Sequence, residues 1–138
     1  MHTSDPIACG LPHREPFVFV ETVCALEPGR LAICTKRFAA SEPFFRGHFP
    51  NNPLVPGVIL TEALAQTAGI AAGQPANGKS YRLSAIKLMK FLKSVPPETE
   101  VRFQAKKSGG VGGLLQFEVV AKIAEDVVAE GVIVLSEA

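Results

Sequence analysis

Pro56-Gly57-Val58-Ile59-Leu60-Thr61-Glu62-Ala63-Leu64-Ala65-Gln66-Thr67-Ala68-Gly69-Ile70-Ala71-Ala72-Gly73 reads as one helix, with proline near its first turn and glycine near its last. Its apolar residues run nearly all the way round, so it belongs inside a fold, wrapped by other elements. Ala63, Ala65, Ala68, Ala71 and Ala72 are small enough to let strands approach closely. The apolar run from Leu54 to Gly73 is almost membrane length. Glu62 and Gln66 fall inside it, however, and Pro53 and Pro56 mark its start, which favours a buried helix over a membrane span.

Working outward, the N-terminal side reads as β structure. Phe17 to Leu26 is rich in Val and Phe, Glu27-Pro28-Gly29 makes a turn, and Leu31 to Phe38 follows as the second arm of a hairpin. Residues 41 to 56 gather Pro43, Gly47, Pro50, Asn51, Asn52, Pro53 and Pro56, a composition that favours a fixed, turn-rich loop able to hold a side chain still. Beyond the helix comes a polar loop with Asn77-Gly78, then strand-like runs at Leu83 to Leu92, Val101 to Lys107, Leu114 to Ala124 and Val127 to Leu135. Their separators are Pro96-Pro97, Ser108 to Gly113, and Glu125-Asp126. Two strands, one long helix and four strands are the order of an α+β domain with an antiparallel sheet curled around a central helix.

The 138 residues fit one compact domain, 1–138, and 47% hydrophobic residues suffice for a core. Cys9, Cys24 and Cys34 are odd in number and lack close pairing, so neither a disulfide framework nor a metal cluster is indicated, and reduced thiols in a cytoplasm fit best. The N-terminus shows no signal-peptide pattern. Between Lys79 and Lys107 stand eight basic residues against two acidic ones, while the chain as a whole carries +1. That stretch is either a solvated strand face or a docking surface for an acidic partner; the near-neutral balance and missing aromatic interleaving speak against nucleic acid.

His48 sits in the rigid loop as Gly47-His48-Phe49-Pro50, and taken alone a histidine there is more often structural than catalytic. Glu62 is harder to explain away. A carboxylate in an apolar helix faces a large desolvation cost unless it is paired, protonated or beside a wet cavity, although it could also point out of one helix end or cap a loop. Together the two supply what a β-elimination needs: a base for the proton next to a thioester carbonyl and an acid for the departing hydroxyl. Backbone N–H groups at the start of the helix, at Pro56-Gly57-Val58, offer a place for the enolate oxygen.

The segments Leu11-Pro12-His13-Arg14-Glu15-Pro16-Phe17, Glu42-Pro43-Phe44-Phe45-Arg46-Gly47-His48-Phe49-Pro50, Pro53-Leu54-Val55-Pro56-Gly57-Val58 and Glu62-Ala63-Leu64-Ala65-Gln66 closely resemble the 3-hydroxyacyl-acyl carrier protein dehydratases of the FabZ type. The likeness covers most of the chain and includes the spacing between His48 and Glu62. It implies a hotdog fold, with a six-stranded antiparallel sheet around a long central helix, in a homodimer joined edge to edge and often a trimer of such dimers. It also implies that His48 abstracts the α-proton, that Glu62 of the opposite subunit handles the leaving hydroxyl, and that Gly57, Phe49, Val58 and Pro56 bind substrate. No cofactor or metal is implied; the acyl thioester arrives on the phosphopantetheine of an acidic acyl carrier protein, which gives the basic stretch a partner. His48 and Glu62 are expected to be too far apart within one subunit and to flank one apolar tunnel in the dimer.

A glutamate in the helix separates the chain from the similar dehydratase-isomerases, which carry aspartate there. Glu15, Val55, Asn51-Asn52, Ser94 and Glu98 depart from the family's usual residues, the last standing where glycine is usual. Ser108 to Gly113 lacks the Gly-Lys-Ser/Thr ending of a phosphate loop and reads as a hairpin. His13 belongs to the motif but reads as ordering the N-terminal loop. Two other functions fit the same fold, a hotdog acyl thioesterase and a non-catalytic acyl-carrier-binding subunit. The His48 loop argues against the first, and retention of both His48 and Glu62 argues against the second.

Overall fold

The computed structural model describes residues 4–75 and 78–137, so Asn77 of the expected loop lies outside the described residues. β1 (Thr22–Glu27) and β2 (Leu31–Arg37) form the expected hairpin. A short 3-10 helix (Pro43–Arg46) and the loop after it lead into α1 (Gly57–Ala72). β3 (Tyr81–Phe91), β4 (Glu100–Val111), β5 (Leu114–Ile123) and β6 (Asp126–Glu137) complete one antiparallel sheet in the order β1-β2-β4-β5-β6-β3.

The sheet and helix meet as the sequence pattern requires. Val101, Phe103 and Ala105 of β4, and Phe117, Val119 and Ala121 of β5, are buried at alternate positions, which puts them on one face of the sheet. That face packs on α1, whose Ala63, Leu64, Ala68 and Ala71 are fully buried. Alanine at three of these positions lets the backbone of the helix approach β4 and β2, its main neighbours. The hairpin turn is tied to the end of α1 by Gly29 N–H, which donates to the Ala71 carbonyl at 2.7 Å.

Three features differ from the sequence expectation. The first strand begins at Thr22 instead of Phe17, because the Gln66 side chain takes the place of a strand partner: its Oε1 accepts from Phe19 N–H at 2.9 Å and its Nε2 donates to the Phe17 carbonyl at 3.0 Å. Strand β4 runs through most of the stretch expected to be a turn. Gly109 and Gly110 pair with Gln116 and Leu115, leaving only Gly112-Gly113 as the hairpin loop, with Gly112 at φ 62°. The basic residues of β3 and those of β4 do not lie on neighbouring strands either, since β5 and β6 separate β3 from β4. Of those residues, Lys93 pairs with Asp126 at 3.4 Å and Lys87 donates to Gln116 at 2.6 Å.

Glu98 takes φ 58°, a left-handed conformation that favours glycine, the residue the resemblance leads one to expect there. Its carboxylate compensates by accepting from Ala40 N–H at 2.7 Å, and its own N–H donates to the Phe38 carbonyl at 2.8 Å. This ties the β3–β4 connection to the loop that precedes His48.

Cys34 of β2 is fully buried, and burial pushes its thiol up from 9.0 to about 12, against a smaller opposing hydrogen bond from Thr67. The unfolded thiol therefore ionises above about pH 9 while the folded one keeps its proton. The resulting stability is present below pH 9 and is lost on the way to pH 12, at a slope of about 1.4 kcal/mol per pH unit. Urea midpoints measured across that window should fall more steeply for the wild type than for Cys34→Ala.

Candidate active site

The His48 loop is held by a ladder of backbone hydrogen bonds. His48 N–H donates to the Phe44 carbonyl in the 3-10 helix (3.0 Å), Leu54 N–H donates back to the His48 carbonyl (2.9 Å), and Val55 N–H donates to the Val95 carbonyl (2.8 Å). The imidazole Nδ1 lies 3.1 Å from the Leu54 carbonyl, a group that can only accept. In the neutral ring the hydrogen is then on Nδ1, which leaves Nε2 with a free lone pair. The ring stacks on Phe49 with centroids 4.1 Å apart.

His48 lines a cavity of about 330 Å³ together with Gly57, Leu60, Phe91 and Leu92. Gly57 is the first residue of α1, and its N–H has no partner among the described residues. An unpaired N–H at the positive end of a helix dipole is a site for a developing negative charge. The glycine also leaves room for a neighbour, since a Cβ at this position would stand 3.1 Å from the half-exposed Phe91 ring, which would have to shift by a few tenths of an ångström. Pro56 precedes it and is half-buried. Phe49 and Val58 lie open, 49% and 75% exposed.

Glu62 is one turn further along α1 and opens elsewhere. It lines a separate cavity of about 370 Å³ with His13, Phe17, Tyr81, Arg82 and Leu83 among its walls. Its Oε2 accepts from Gln66 Nε2 at 3.1 Å and lies 3.4 Å from His13 Nε2. The cost of placing a carboxylate on this helix is thus met by pairing and a cavity together. Sequence reasoning assigned His13 to loop ordering and missed its contact with Glu62.

The two cavities lie at opposite ends of β3. Tyr81, Arg82 and Leu83 at its start wall the Glu62 cavity, and Phe91 and Leu92 at its finish wall the His48 cavity. β3 is also an edge strand, with Ile86 52%, Leu88 46% and Phe91 50% exposed. A long apolar edge of this kind is a template for pairing with another chain.

The profile of the ApeI-like family, described as ApeI dehydratase, matches residues 26–132. The fold agrees. The dehydratase heterocomplex ApeI:P of Xenorhabdus doucetiae superposes with a TM-score of 0.76 at 16% identity, covering 98% of this chain and 92% of that one. An uncharacterised protein of Pyrococcus horikoshii does so at 0.69 and 18%, covering 90% and 87%. Fold and family together define a hotdog-fold dehydratase, a hydro-lyase. Among curated relatives, the 3-hydroxyacyl-[acyl-carrier-protein] dehydratase FabZ of Ruminiclostridium cellulolyticum is 41% identical over 133 residues, covering 95% of this chain and 94% of its own. That of Rhodospirillum rubrum is 40% identical over 124 residues, covering 87% and 78%. The chain belongs to the FabZ family of 3-hydroxyacyl-[acyl-carrier-protein] dehydratases.

Proposed function

We propose that two copies pair through their β3 edges, and that each composite site removes water from a 3-hydroxyacyl thioester carried by acyl carrier protein. The observation that carries this reading is the placement of the two cavities at opposite ends of an exposed edge strand. A two-fold axis near the middle of β3 makes the paired strands antiparallel, so the Phe91 end of one copy meets the Tyr81 end of the other. The His48 cavity of one protomer then joins the Glu62 cavity of its partner. Phe49, Val58, Leu88 and Phe91, exposed in one copy, become the natural lining and rim of the joint.

In the joined site, Nε2 of His48 takes the proton from the carbon next to the thioester carbonyl, and the electron pair moves toward the carbonyl oxygen. Gly57 N–H donates to that oxygen as its charge builds. The electrons return to form the 2,3 double bond as the C3–O bond breaks, and the partner's protonated Glu62 gives its proton to the departing hydroxyl. The products are a trans-2-enoyl thioester and water; His48 now holds one proton and Glu62 lacks one, and solvent exchange resets both. The acidic carrier protein finds Arg82 and Lys90 along β3, near the joint. With three free cysteines, a reducing cytoplasm suits the chain; among the described residues no helix is long and apolar enough to cross a membrane.

Incubating the purified protein with 3-hydroxyacyl-carrier substrate should give ultraviolet absorbance from the conjugated enoyl thioester, with no thiol released to a thiol-reactive dye. Release of thiol without enoyl product would make the protein a thioesterase, and binding without either would make it a non-catalytic subunit. Light scattering should return at least twice the mass of one chain; a monomer at assay concentration contradicts the pairing.

A further inference from the structure

His13 contacts Glu62, and the elimination does not use it. Both contacts to the Glu62 carboxylate fall on the same oxygen: Oε2 meets Gln66 Nε2 at 3.1 Å and His13 Nε2 at 3.4 Å, while Oε1 has no partner among the described residues. The groups that make those contacts are themselves fixed. Gln66 is 1% exposed and spends its remaining hydrogen bonds on Phe17 and Phe19 of the N-terminal loop. In that loop Arg14 donates to the carbonyls of Leu11 and His13 at 2.9 and 2.8 Å, and the His13 ring stacks on Phe17 with centroids 6.1 Å apart.

The other ring nitrogen of His13, Nδ1, is buried with no partner among the described residues. A buried N–H without an acceptor is costly, whereas a bare lone pair there costs less, so the ring hydrogen belongs on Nε2, turned toward Glu62. This is the opposite tautomer to that of His48.

We infer that His13 is a positioning residue which, with Gln66, occupies Oε2 of Glu62 and so directs the carboxyl proton onto Oε1, the oxygen left open to the cavity. The inference rests on the dehydratase reading of the site. A proton on Oε2 would point at two N–H donors, so the acid form carries its hydrogen on Oε1, where a leaving hydroxyl can receive it. Once the proton has gone, the same two donors stabilise the carboxylate that remains. The N-terminal loop thereby takes part in the chemistry of a glutamate 49 positions away in sequence without touching substrate.

Steady-state kinetics of His13→Phe and His13→Gln test this, because phenylalanine keeps the stack on Phe17 and glutamine restores an N–H near the position of Nε2. The phenylalanine variant should lose about tenfold to a hundredfold in kcat, with KM within about twofold of wild type, and glutamine should recover most of the loss. Wild-type kcat in His13→Phe, a loss confined to KM, or no recovery with glutamine in a folded protein overturns the inference. Nitrogen-15 NMR of the wild-type imidazoles supplies a readout independent of activity and of how the variants fold. Hydrogen on Nε2 of His13, with a shift that moves in Glu62→Gln, supports the role; hydrogen on Nδ1 overturns it. Absence of dehydratase turnover in the wild type removes the parent reading, and the tautomer then still decides whether His13 braces Glu62.

Discussion

His48→Ala and Glu62→Gln should each lower dehydration of a 3-hydroxyacyl-carrier substrate by about two or more orders of magnitude. The two losses have different origins. Alanine removes the imidazole that lines the cavity with Gly57, and with it the lone pair that Nε2 keeps while Nδ1–H faces the Leu54 carbonyl. Glutamine keeps the shape of residue 62 and can still meet Gln66 and His13, but it has no proton to give. Stability should therefore change little in Glu62→Gln, and KM should stay near wild type in both variants while kcat falls. Turnover within a few-fold of wild type in both variants removes these residues from the reaction.

The second large effect is structural. At Gly131 of β6 an added Cβ would stand 2.1 Å from the Leu88 carbonyl oxygen and 3.0 Å from the Leu88 carbonyl carbon, where the β3–β6 register shifts between Ile86 and Leu88. The obstruction is backbone, which cannot swing aside as a side-chain tip can. Gly131→Ala must push β3 away from β6 at the middle of the strand, at a cost of about 3 kcal/mol or more. β3 is also the edge proposed to pair the two copies, and it walls both cavities. The variant should show a lowered urea midpoint together with a shift toward monomer and reduced turnover. An alanine variant with the midpoint and mass of wild type would mean that the β3 bulge is not the fixed feature described above.

How far the sequence went can be followed residue by residue. The helix was legible to within a residue at each end, because Pro56 and Gly73 punctuate it and its all-round apolar surface demands burial. The four later strands were legible for the same reason, as alternating or apolar runs between turn residues. The start of β1 was not, since Phe17 to Glu21 has the composition of a strand while Phe19 N–H and the Phe17 carbonyl bond to the side chain of Gln66, 47 and 49 positions away. The end of β4 was hidden by its composition: Gly109 and Gly110 look like a turn yet pair as a strand. Strand order could not be read from local patterns at all, so the separation of the basic residues of β3 from those of β4 came only with the sheet.

The candidate site divides in the same way. His48 and Glu62 stood out because one lies in a loop too rich in proline and glycine to be flexible and the other is an acid in an oily helix, and the family resemblance joined them. Nothing in the spacing of residues could place His13 against Glu62, because that contact depends on how the N-terminal loop folds over α1. Nor could spacing reveal that the two cavities sit at opposite ends of one edge strand, which is the feature that calls for a second copy.

The composite site is tested most directly by subunit complementation. His48→Ala and Glu62→Gln chains, co-expressed with different affinity tags and purified through both, give a mixed dimer in which one site carries both substitutions and the other carries neither. Such a dimer should recover about half of wild-type turnover per dimer, far above either parent variant, because His48 and Glu62 of the intact site come from different chains. Turnover no higher than that of the two parents would contradict the account, since it would mean that each chain completes its own site.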